Sequence, residues 1–584
     1  MPGPLLQAAG IGLRAVARAH RRCRKDNGET VSAPAISVAE PAIRLAAGEQ
    51  IEWDREADVV VIGFGGAGAC AALEAQAQGA EVLILDRFDG GGATAYSGGI
   101  IYAGGTSVQA REGVRDDADT MQRYLESELG DAISPEALRR FCQGSRGDID
   151  WLAGLGMPFT GQVFTDKAHY PPYSSSLYYS GNEKQYKQAT GTPAAPRGHR
   201  AIGTGFTGYV FFDVLRKAVE RAAIPVLTHS PAKRLILDAD GAVVGVEIAP
   251  VAPSAADEHR RLYQSVTPHK PLRPAEQDRA ISACRALEQS NEAPRIRIRA
   301  RRGVVIAAGG YVFNLEKLRE AQPFLAAHHH AVVRLGSIGD DGSGIELGQS
   351  AAGAVGMLDN VFLNRSIAPP DALIKGIAVN AHGERFLNED AYTGNLGLAI
   401  ARQPEGRAWL IMDRKHMRHA IWQCLSARRA EFKTIYAPTL LNIAGGGTRV
   451  GASIKGLARR IHVAPEALAA SVAAYNDAAR AGHDPLGKLA EHLQPIQGGP
   501  YFAVNLSVTN RLSFSKMFTL SGLRVDEESG AVLGDDGRPV TGLFAAGRSA
   551  VGLCSVGYIS GMSLADGVFS GRRAGRHAAM PDRT

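Results

Sequence analysis

A glycine-rich turn between two apolar runs limits the fold of this chain more than any other feature. Gly63–Gly68 reads Gly-Phe-Gly-Gly-Ala-Gly and directly follows the apolar run Asp58–Ile62. A helical pattern at Ala67–Gln78 and a second apolar run at Glu81–Asp86 come next. Because both runs are apolar throughout, they predict parallel strands that are covered on both faces. The order of these segments predicts a βαβ unit at the start of an α/β domain.

The spacing of the glycines indicates what the turn binds. In a GxGxxG turn the first glycine permits the turn, the second lets the backbone approach a pyrophosphate, and the third lets the helix pack on the strand. The helix N-terminus adds amide donors and a positive dipole end. A carboxylate at the end of the second strand can accept a hydrogen bond from a ribose hydroxyl. We therefore expect a dinucleotide to contact Gly63, Gly65, Gly66, Ala67, Gly68, Asp86 and Arg87.

Two further glycine motifs decide between dinucleotides. Gly90–Gly99 is a second glycine-rich loop, where a nicotinamide-binding domain would normally continue into its next helix and strand. Taken alone, this loop could also be only a flexible connection. Thr541–Gly547 is a strand that ends in small residues, and a helix beginning near Gly561 would aim its amides at a flavin. Together the motifs predict non-covalent FAD, with further contacts from Thr94, Ser97, Gly98, Gly99, Ala232, Ala308, Gly309, Gly547, Arg548, Ser563 and Leu564.

The pattern along the chain predicts a Rossmann-type FAD-binding domain with an inserted α+β capping domain. Val226–Leu227, Ala232–Leu237 and Val243–Ile248 alternate like an antiparallel meander beside the parallel sheet. A proline- and charge-rich insert follows, with one predicted short helix at Asp278–Gln289. We expect a disordered extension at 1–50, the FAD-binding domain at 51–349 (insert 250–295) and 506–584, and a capping and catalytic domain at 350–505.

Composition excludes several classes of protein. The six cysteines are scattered without paired spacing, which argues against a disulfide framework or a metal site and favours the cytoplasm. A net charge of +6 on 584 residues is too small for nucleic-acid binding. A secretory signal has its basic residues before its apolar stretch. In Leu5–Lys25 the basic residues follow the apolar stretch, so this segment is a poor secretory signal. Peripheral membrane contact is the alternative interpretation of this N-terminus.

Beyond these motifs, the sequence resembles the fumarate reductase/succinate dehydrogenase flavoprotein family over about residues 57–577. The resemblance is carried by segments such as RRGVVIAAGGYVFN, GERFLNEDAYTG and TLSGLRVD. Within the family, Gly557–Gly561 (Gly-Tyr-Ile-Ser-Gly) is similar to the motif of 3-keto-5α-steroid Δ4-dehydrogenases, whereas the Δ1 branch has a tyrosine followed by Pro-Gly-Pro-Gly. Fumarate and succinate enzymes clamp a dicarboxylate with histidine and arginine. Here His382 lies in a predicted turn, Asn380–Gly383, and Arg385 comes just after it. We expect both side chains to be solvated.

The resemblance implies oxidation of a 3-ketosteroid to the 4-ene-3-one, with proton removal at C4, hydride transfer from C5 to the flavin and an external electron acceptor. It also implies a catalytic hydroxyl network. Ser560 would lie on the proton path, Tyr392 would relay or assist, and Tyr558 would support the 3-keto oxygen. Judged without the family, a core tyrosine is the favoured interpretation of Tyr392, and Ser560 alone could be only a helix N-cap. A Δ1-dehydrogenase, a fumarate-reductase-like ene-reductase and a non-catalytic flavin-binding protein remain alternatives.

Two smaller expectations concern the edges of this site. Arg548 occupies a position where many flavoproteins have an acidic residue, so the usual contact between a carboxylate and the ribitol chain is in doubt. Tyr173, Tyr178 and Tyr179 either line the substrate entrance or belong to a proline-rich loop packed on the sheet.

Overall fold

The structure is a computed structural model. It describes residues 37–159, 162–166, 168, 170–268, 274–428, 431–432 and 436–581. The basic N-terminal segment and most of the predicted extension at 1–50 lie outside the described residues.

The described part of that extension is packed on the sheet. Val38 is buried, and Ile43–Arg44 forms a short strand parallel to Ala232–Leu237. The Glu40 carboxylate accepts hydrogen bonds from both terminal nitrogens of Arg295. The described structure therefore has packed residues before the predicted domain start at residue 51. A contact between residues so far apart in the chain leaves no local pattern in the sequence.

A central sheet contains the predicted βαβ unit. Its strands, in pairing order, are Ile43–Arg44, Ala232–Leu237, Val243–Ile248, Ile296–Ile306, Arg55–Ile62, Val82–Leu85 and Val226–Leu227. Ile296–Ile306 also pairs in parallel with Pro539–Ala545, which pairs with Ala531–Leu533. The sheet therefore joins the C-terminal part of the chain to the N-terminal βαβ unit.

One strand of the predicted meander lies elsewhere in the sheet. Val226–Leu227 follows the helix Gly208–Arg221 and pairs in parallel with Val82–Leu85 at the far edge. A strand–helix–strand connection brings its strands together in parallel, which explains this position. The antiparallel part consists instead of Ala232–Leu237, Val243–Ile248 and the first residues of Ile296–Ile306.

Alternate residues of the strand Arg55–Ile62 are buried on opposite faces of the sheet, as the two-residue period of a strand requires. Val59 and Val61 pack with the helices Gly66–Ala77 and Met562–Ala578, whereas Val60 and Ile62 pack in a core that includes Leu347. Helices that cover or flank the sheet are Ala118–Leu129, Pro135–Leu155, Gly208–Arg221 and Ser343–Ser350.

A second group of elements lies mostly within the predicted capping region. Its antiparallel sheet has the strands Ile377–Val379, Trp409–Met412, Tyr501–Asn505 and Thr448–Gly451. Its helices are Thr393–Ala401, Arg414–Ser426, Ala437–Ala444, Ile454–Arg460 and Pro465–Ala481. A three-stranded sheet of Val332–Arg334, Ser515–Thr519 and Val361–Asn364 combines strands from inside and outside this region. The boundaries 350 and 505 themselves stay a prediction.

The insert contains two helices, Ala256–Ser265 and Pro274–Ser290, which we call the insert helices. The single predicted helix, Asp278–Gln289, corresponds to part of the second. A further small sheet is formed by Ile100–Tyr102, Gly198–Arg200, Ser175–Tyr178 and Gln162–Phe164. The other helices are Gly92–Tyr96, Ser107–Arg111, Glu183–Thr190, Leu315–Ala321 and Pro323–Ala327. Among the described residues, no helix combines the length and apolar character needed to cross a membrane.

Candidate active site

A cavity of about 300 Å³ lies at the carboxyl ends of four parallel strands of the central sheet. Gly63, Asp86, Ala307 and Ala546, which directly follow these strands, line it. Open α/β sheets bind their ligands in this position. Apart from Gly68 and Gly99, every residue that the sequence assigns to the cofactor lines the cavity, and so do the three predicted catalytic residues.

Gly68 and Gly99 are structural positions and do not line the cavity. A Cβ on Gly68 would lie 1.9 Å from the Gly63 carbonyl oxygen, so this glycine allows close packing of helix and strand. Gly99 has a φ of +66°, and a Cβ there would lie 2.5 Å from the Thr207 backbone. The backbone of this chain occupies the side-chain direction of both glycines, and their contact with the cofactor stays a prediction.

The backbone around the glycine turn leaves room for a dinucleotide. A Cβ on Gly65 or on Gly92 would meet no atom closer than 3.9 Å. The helix Met562–Ala578 begins after Gly561 without any side-chain cap, and Ser563 and Leu564 at its start line the cavity. Uncapped amides at a helix N-terminus favour a ligand with negative charge. The predicted flavin and phosphate contacts therefore fit this part of the cavity.

Asp86 and Arg87 hold the loop after the second strand. The Asp86 carboxylate accepts hydrogen bonds from the amides of Phe64 and Phe88, at 2.7 Å each. Burial raises the pKa of Asp86, an effect that these amides oppose. The Arg87 guanidinium donates to Glu288 and to Asp341, so the side chain is fully engaged within the protein. Asp86 still lines the cavity, and its contact with a ribose hydroxyl stays a prediction.

The first insert helix forms part of the cavity wall, which the sequence did not predict. Tyr263 lines the cavity and stacks on Phe88 with 4.4 Å between ring centroids. Glu288 connects the second insert helix to Arg87 and to His259. His259, Cys284 and Glu288 lie close enough together to hold a metal ion, although their sequence spacing does not indicate it. Because the Glu288 carboxylate is already bound by Arg87 and His259, we assign no metal to this cluster.

Thr94 and Ser97 shape the second glycine loop through bonds within the chain. Thr94 Oγ1 accepts a hydrogen bond from the Gly66 amide at 3.0 Å. Ser97 Oγ donates to the Thr94 carbonyl and accepts from the Gly99 amide. Thr94 therefore connects the loop to the glycine turn, Ser97 braces the loop itself, and both residues line the cavity.

Arg548 is paired with an acidic residue that the sequence analysis did not identify. Its guanidinium donates to Asp340 Oδ1 at 2.7 Å and lies over the ring of Phe518. Asp340 also accepts from the amides of Ser337 and Gly310, and it lines the cavity. A carboxylate is therefore present beside the glycine motif after all, supplied by a loop some 200 residues away from Arg548.

The three predicted catalytic residues come together on one wall of the cavity. The rings of Tyr392 and Tyr558 are 6.3 Å apart, and the Ser560 hydroxyl lowers the pKa of Tyr392. Burial has the larger effect and raises the pKa of Tyr392 well above its usual value and that of Tyr558 likewise. Both phenols are therefore neutral hydrogen-bond donors at physiological pH. The N-cap of the following helix is Gly561, so Ser560 does not serve as its cap.

Tyr178 adds a fourth hydroxyl to those of Tyr392, Tyr558 and Ser560. Its hydroxyl donates to Ser560 Oγ at 3.1 Å, and burial raises its pKa. The side chain is fully buried beneath the cavity wall, so Tyr178 does not line a substrate entrance. The three-tyrosine segment in the sequence is the only signal that could have identified it.

Aromatic side chains surround the hydroxyl groups. Phe362 and Phe518 pack against each other and against Tyr558, with ring centroids 4.7 to 5.1 Å apart. Arg385, for which we expected a solvated side chain, is instead mostly buried and paired with Glu389 and Asp484. Its guanidinium is thus unavailable to clamp a dicarboxylate. The wall fits an apolar, flat ligand that carries a hydrogen-bond acceptor.

The cavity can now be compared with known proteins. A family model described as the FAD binding domain matches residues 58–564. The chain belongs to this FAD-binding family. FAD is therefore its cofactor, and the predicted fold class, an α/β FAD-binding domain combined with further α and β elements, is confirmed.

Two members of the FAD-binding family are similar over most of their length. The chain is 34% identical to a 3-oxo-5-alpha-steroid 4-dehydrogenase of Comamonas testosteroni, covering 88% of this chain and 96% of that protein. A crystal structure of 3-ketosteroid-delta4-(5alpha)-dehydrogenase from Rhodococcus jostii RHA1, in complex with 4-androstene-3,17-dione, matches with a TM-score of 0.76 at 30% identity. This match covers 92% of our chain and 100% of that chain. The predicted resemblance to this branch is confirmed.

A third protein shares the fold. The 3-ketosteroid delta1-dehydrogenase of Sterolibacterium denitrificans matches with a TM-score of 0.61 at 19% identity, over 90% of this chain and 99% of that one.

Proposed function

We propose that this FAD-dependent oxidoreductase dehydrogenates a 3-ketosteroid to the 4-ene-3-one. The observation that carries the proposal is the group of neutral hydroxyls of Tyr392, Tyr558 and Ser560 on an aromatic wall of the cavity that the dinucleotide motifs form. The two similar steroid 4-dehydrogenases support the substrate class.

Removing hydrogen from the carbon–carbon bond beside a ketone requires a polarised carbonyl and a path for the α proton. Tyr558, held neutral by burial, donates to the 3-keto oxygen and so makes the C4 proton more acidic. The amides of Gly561 and Ser563 act on the same phenol and lower its pKa, against the larger effect of burial. Bound FAD supplies the acceptor for the hydride that leaves C5.

Ser560 receives the C4 proton while it passes its own proton to Tyr392, and Tyr392 releases its phenolic proton to water in the same relay, so that each hydroxyl stays neutral. Two contacts support this path. Tyr178 donates to Ser560 Oγ and thereby fixes where the serine oxygen lies. Tyr392 is coupled to Ser560 by a hydrogen bond and sits at the start of the helix Thr393–Ala401. A relay of neutral hydroxyls suits an apolar substrate because an unpaired carboxylate would be costly to bury beside it.

The first test is anaerobic bleaching of the purified yellow protein. A saturated 3-keto-5α-steroid is expected to remove the visible flavin absorbance and to give the 4-ene-3-one as product. A 1-ene product would indicate a Δ1-dehydrogenase. Turnover of small unsaturated acids by the reduced protein, without any bleaching by ketosteroids, would show an ene-reductase. No reaction with any of these compounds would support a non-catalytic flavin-binding protein.

The second test concerns the proton path. Ser560→Ala is expected to lower kcat by about 10² to 10⁴, the usual contribution of a positioned proton-transfer group. Tyr178→Phe keeps the ring but removes the bond to Ser560, so we expect a smaller loss of kcat with little change in KM. Tyr209→Phe is the matched control, since Tyr209 is exposed on the helix Gly208–Arg221. Full activity of Ser560→Ala, Tyr392→Phe and Tyr558→Phe together would disprove this site.

Three further points belong to the proposal. FAD is bound non-covalently, an external acceptor reoxidises the reduced protein, and the protein works in the cytoplasm. Contact of the basic segment Leu5–Lys25 with a membrane surface rests on the sequence alone. Cosedimentation with vesicles of anionic lipid, compared with zwitterionic lipid, tests that contact.

A further inference from the structure

Lys516 is a charged residue in the cavity that the proposed reaction does not use. It belongs to the strand Ser515–Thr519, the middle strand of the three-stranded sheet. Ser515, Met517 and Thr519 are buried on one face of this strand. Lys516 and Phe518 point to the other face, and both line the cavity.

The ammonium group of Lys516 has no partner in the part of the chain that the structure describes. Burial lowers its pKa, and no carboxylate among the described residues acts against this effect. Lys488 shows what this protein does with a buried lysine elsewhere. Its Nζ donates to the Gly376 carbonyl and pairs with Glu389 at 2.8 Å. A buried cation without such partners is costly. Lys516 is partly buried at the cavity wall, so its unpaired charge carries part of this cost, and a ligand that brings the opposite charge removes it.

The strand register places Lys516 two residues along the strand from Phe518, which contacts Tyr558. Phe518 is paired with Phe362 across the two strands, and Lys516 is paired with Asn364 one step further on. The aromatic pair contacts Tyr558, whereas the polar pair lies about 7 Å further along the strands. The catalytic hydroxyls, where a 3-keto oxygen would bind, are therefore separated by an apolar surface from Lys516 and Asn364, which also line the cavity.

We propose that Lys516 binds a carboxylate at the end of the substrate opposite the 3-keto group. The inference rests on the proposed function and narrows its substrate class to 3-ketosteroids whose side chain ends in a carboxylate. The flat ring system lies along Phe362 and Phe518, and the acid group reaches Lys516 and Asn364.

A carboxylate fits this position better than a ketone. A ketone oxygen accepts one hydrogen bond but leaves the positive charge of the lysine uncompensated. A carboxylate neutralises the charge and raises the pKa of the lysine again, so that the ammonium form persists in the complex. The charge-assisted hydrogen bond is also the stronger of the two.

The test compares a 3-keto-5α-steroid acid with its methyl ester on the FAD-loaded protein. The wild-type protein is expected to prefer the acid in kcat/KM by about 10- to 100-fold, the contribution of a hydrogen bond to a charged group. Lys516→Met should remove this preference by weakening the acid alone, mainly through KM, while leaving the ester unchanged. Lys516→Arg should keep the preference. Lys455→Met, at an exposed position, is the matched control.

The outcomes separate the two proposals. Oxidation of acid and ester with equal kcat/KM would leave the proposed function intact and overturn the role of Lys516. An equal loss for both substrates in Lys516→Met and in Lys516→Gln would overturn it as well, because the lysine would then act on the flavin or on the fold. If neither compound bleaches the flavin, the proposed function itself is wrong.

Discussion

Asp566 is a buried carboxyl group in the C-terminal helix, whose start lines the cavity. It lies in the helix Met562–Ala578 and accepts a hydrogen bond from the Leu553 amide, in the loop that carries Tyr558 and Ser560. Burial raises the pKa of Asp566 to about 6. The folded protein therefore holds the Asp566 proton more tightly than the unfolded chain does.

This raised pKa predicts how stability depends on pH. The contribution of Asp566 to the free energy of unfolding is fully present below the pKa that this carboxyl has in the unfolded chain, near 3.8. It is lost as the pH rises through about 6, the pKa in the folded protein. Asp566→Asn removes the ionisation and keeps an oxygen acceptor for Leu553. Between pH 4 and pH 7, we expect the free energy of unfolding of the variant to rise by about 2 to 3 kcal/mol relative to that of the wild type.

Urea unfolding of both FAD-loaded proteins over this pH range measures the difference. Asp535→Asn, in an exposed turn, serves as the control and should follow the wild type. A free energy of unfolding that changes with pH in the same way for Asp566→Asn and the wild type would contradict the prediction.

The single residues that the sequence analysis missed share one property. Asp340 meets Arg548, and Tyr178 meets Ser560, across separations of 208 and 382 residues. Lys516 is informative because no carboxylate among the described residues pairs with it. Each of these roles depends on tertiary contacts, whereas the glycine positions and the Tyr-Ile-Ser motif could be recognised from local spacing.

At the scale of elements, two helices meet through backbone contacts. A Cβ on Gly571 would lie 2.4 Å from the Ala67 carbonyl oxygen, and one on Gly575 would lie 2.1 Å from that of Ala71. The helices Gly66–Ala77 and Met562–Ala578 therefore pack so closely that only glycine fits between them. The N-termini of both helices line the cavity.

Gly575→Ala is expected to lower the free energy of unfolding by about 1 to 3 kcal/mol, the usual cost of an overpacked core. Because both helix N-termini would shift, we also expect weaker retention of FAD, read as the ratio of flavin to protein absorbance. Gly147→Ala is the matched control. Gly147 lies exposed in the helix Pro135–Leu155 with no atom within 4 Å of a Cβ, so alanine should stabilise by about 0.5 to 1 kcal/mol. Equal stability of the two variants would refute the packing argument.

The predicted elements agree with the structure where one local pattern determined them. The strand at Asp58–Ile62, the helix after Gly63–Gly68 and the strand Val243–Ile248 all form. The pattern was insufficient for Val226–Leu227, because two apolar residues do not reveal which edge of a sheet they join. The pattern was also insufficient for the insert. Its many charged residues gave no clear signal for the first insert helix, Ala256–Ser265, which is amphipathic and packs against Phe88.

For the whole molecule, the cavity is the place where distant parts of the chain meet. The glycine turn, the first insert helix, the three-stranded sheet and the C-terminal helix each contribute to its wall. The lining residues range from Val38 to Val568. A cofactor bound there stabilises all of these parts together. Conversely, the contacts that join the parts should control how firmly the cofactor is held.

Glu288 makes a buried ionic contact between the insert helices and the βαβ unit. Its carboxylate binds Arg87 through two hydrogen bonds and His259 through one, and the side chain is almost fully buried. Glu288→Gln keeps the shape but removes the charge, which leaves Arg87 and its neighbours only partly compensated. We expect a loss of about 3 kcal/mol or more in the free energy of unfolding.

The same substitution should weaken FAD binding without impairing the reaction, because Glu288 lies away from Tyr392, Tyr558 and Ser560. Titration of the FAD-free protein with FAD should give a higher Kd, while kcat at saturating FAD stays unchanged. Glu258→Gln is the matched control, since Glu258 pairs with Arg261 at the surface of the first insert helix, where ion pairs contribute little. Unchanged FAD affinity in Glu288→Gln would mean that the contact between Glu288 and Arg87 does not contribute to FAD binding. A lower kcat at saturating FAD would instead place the insert in contact with the reacting end.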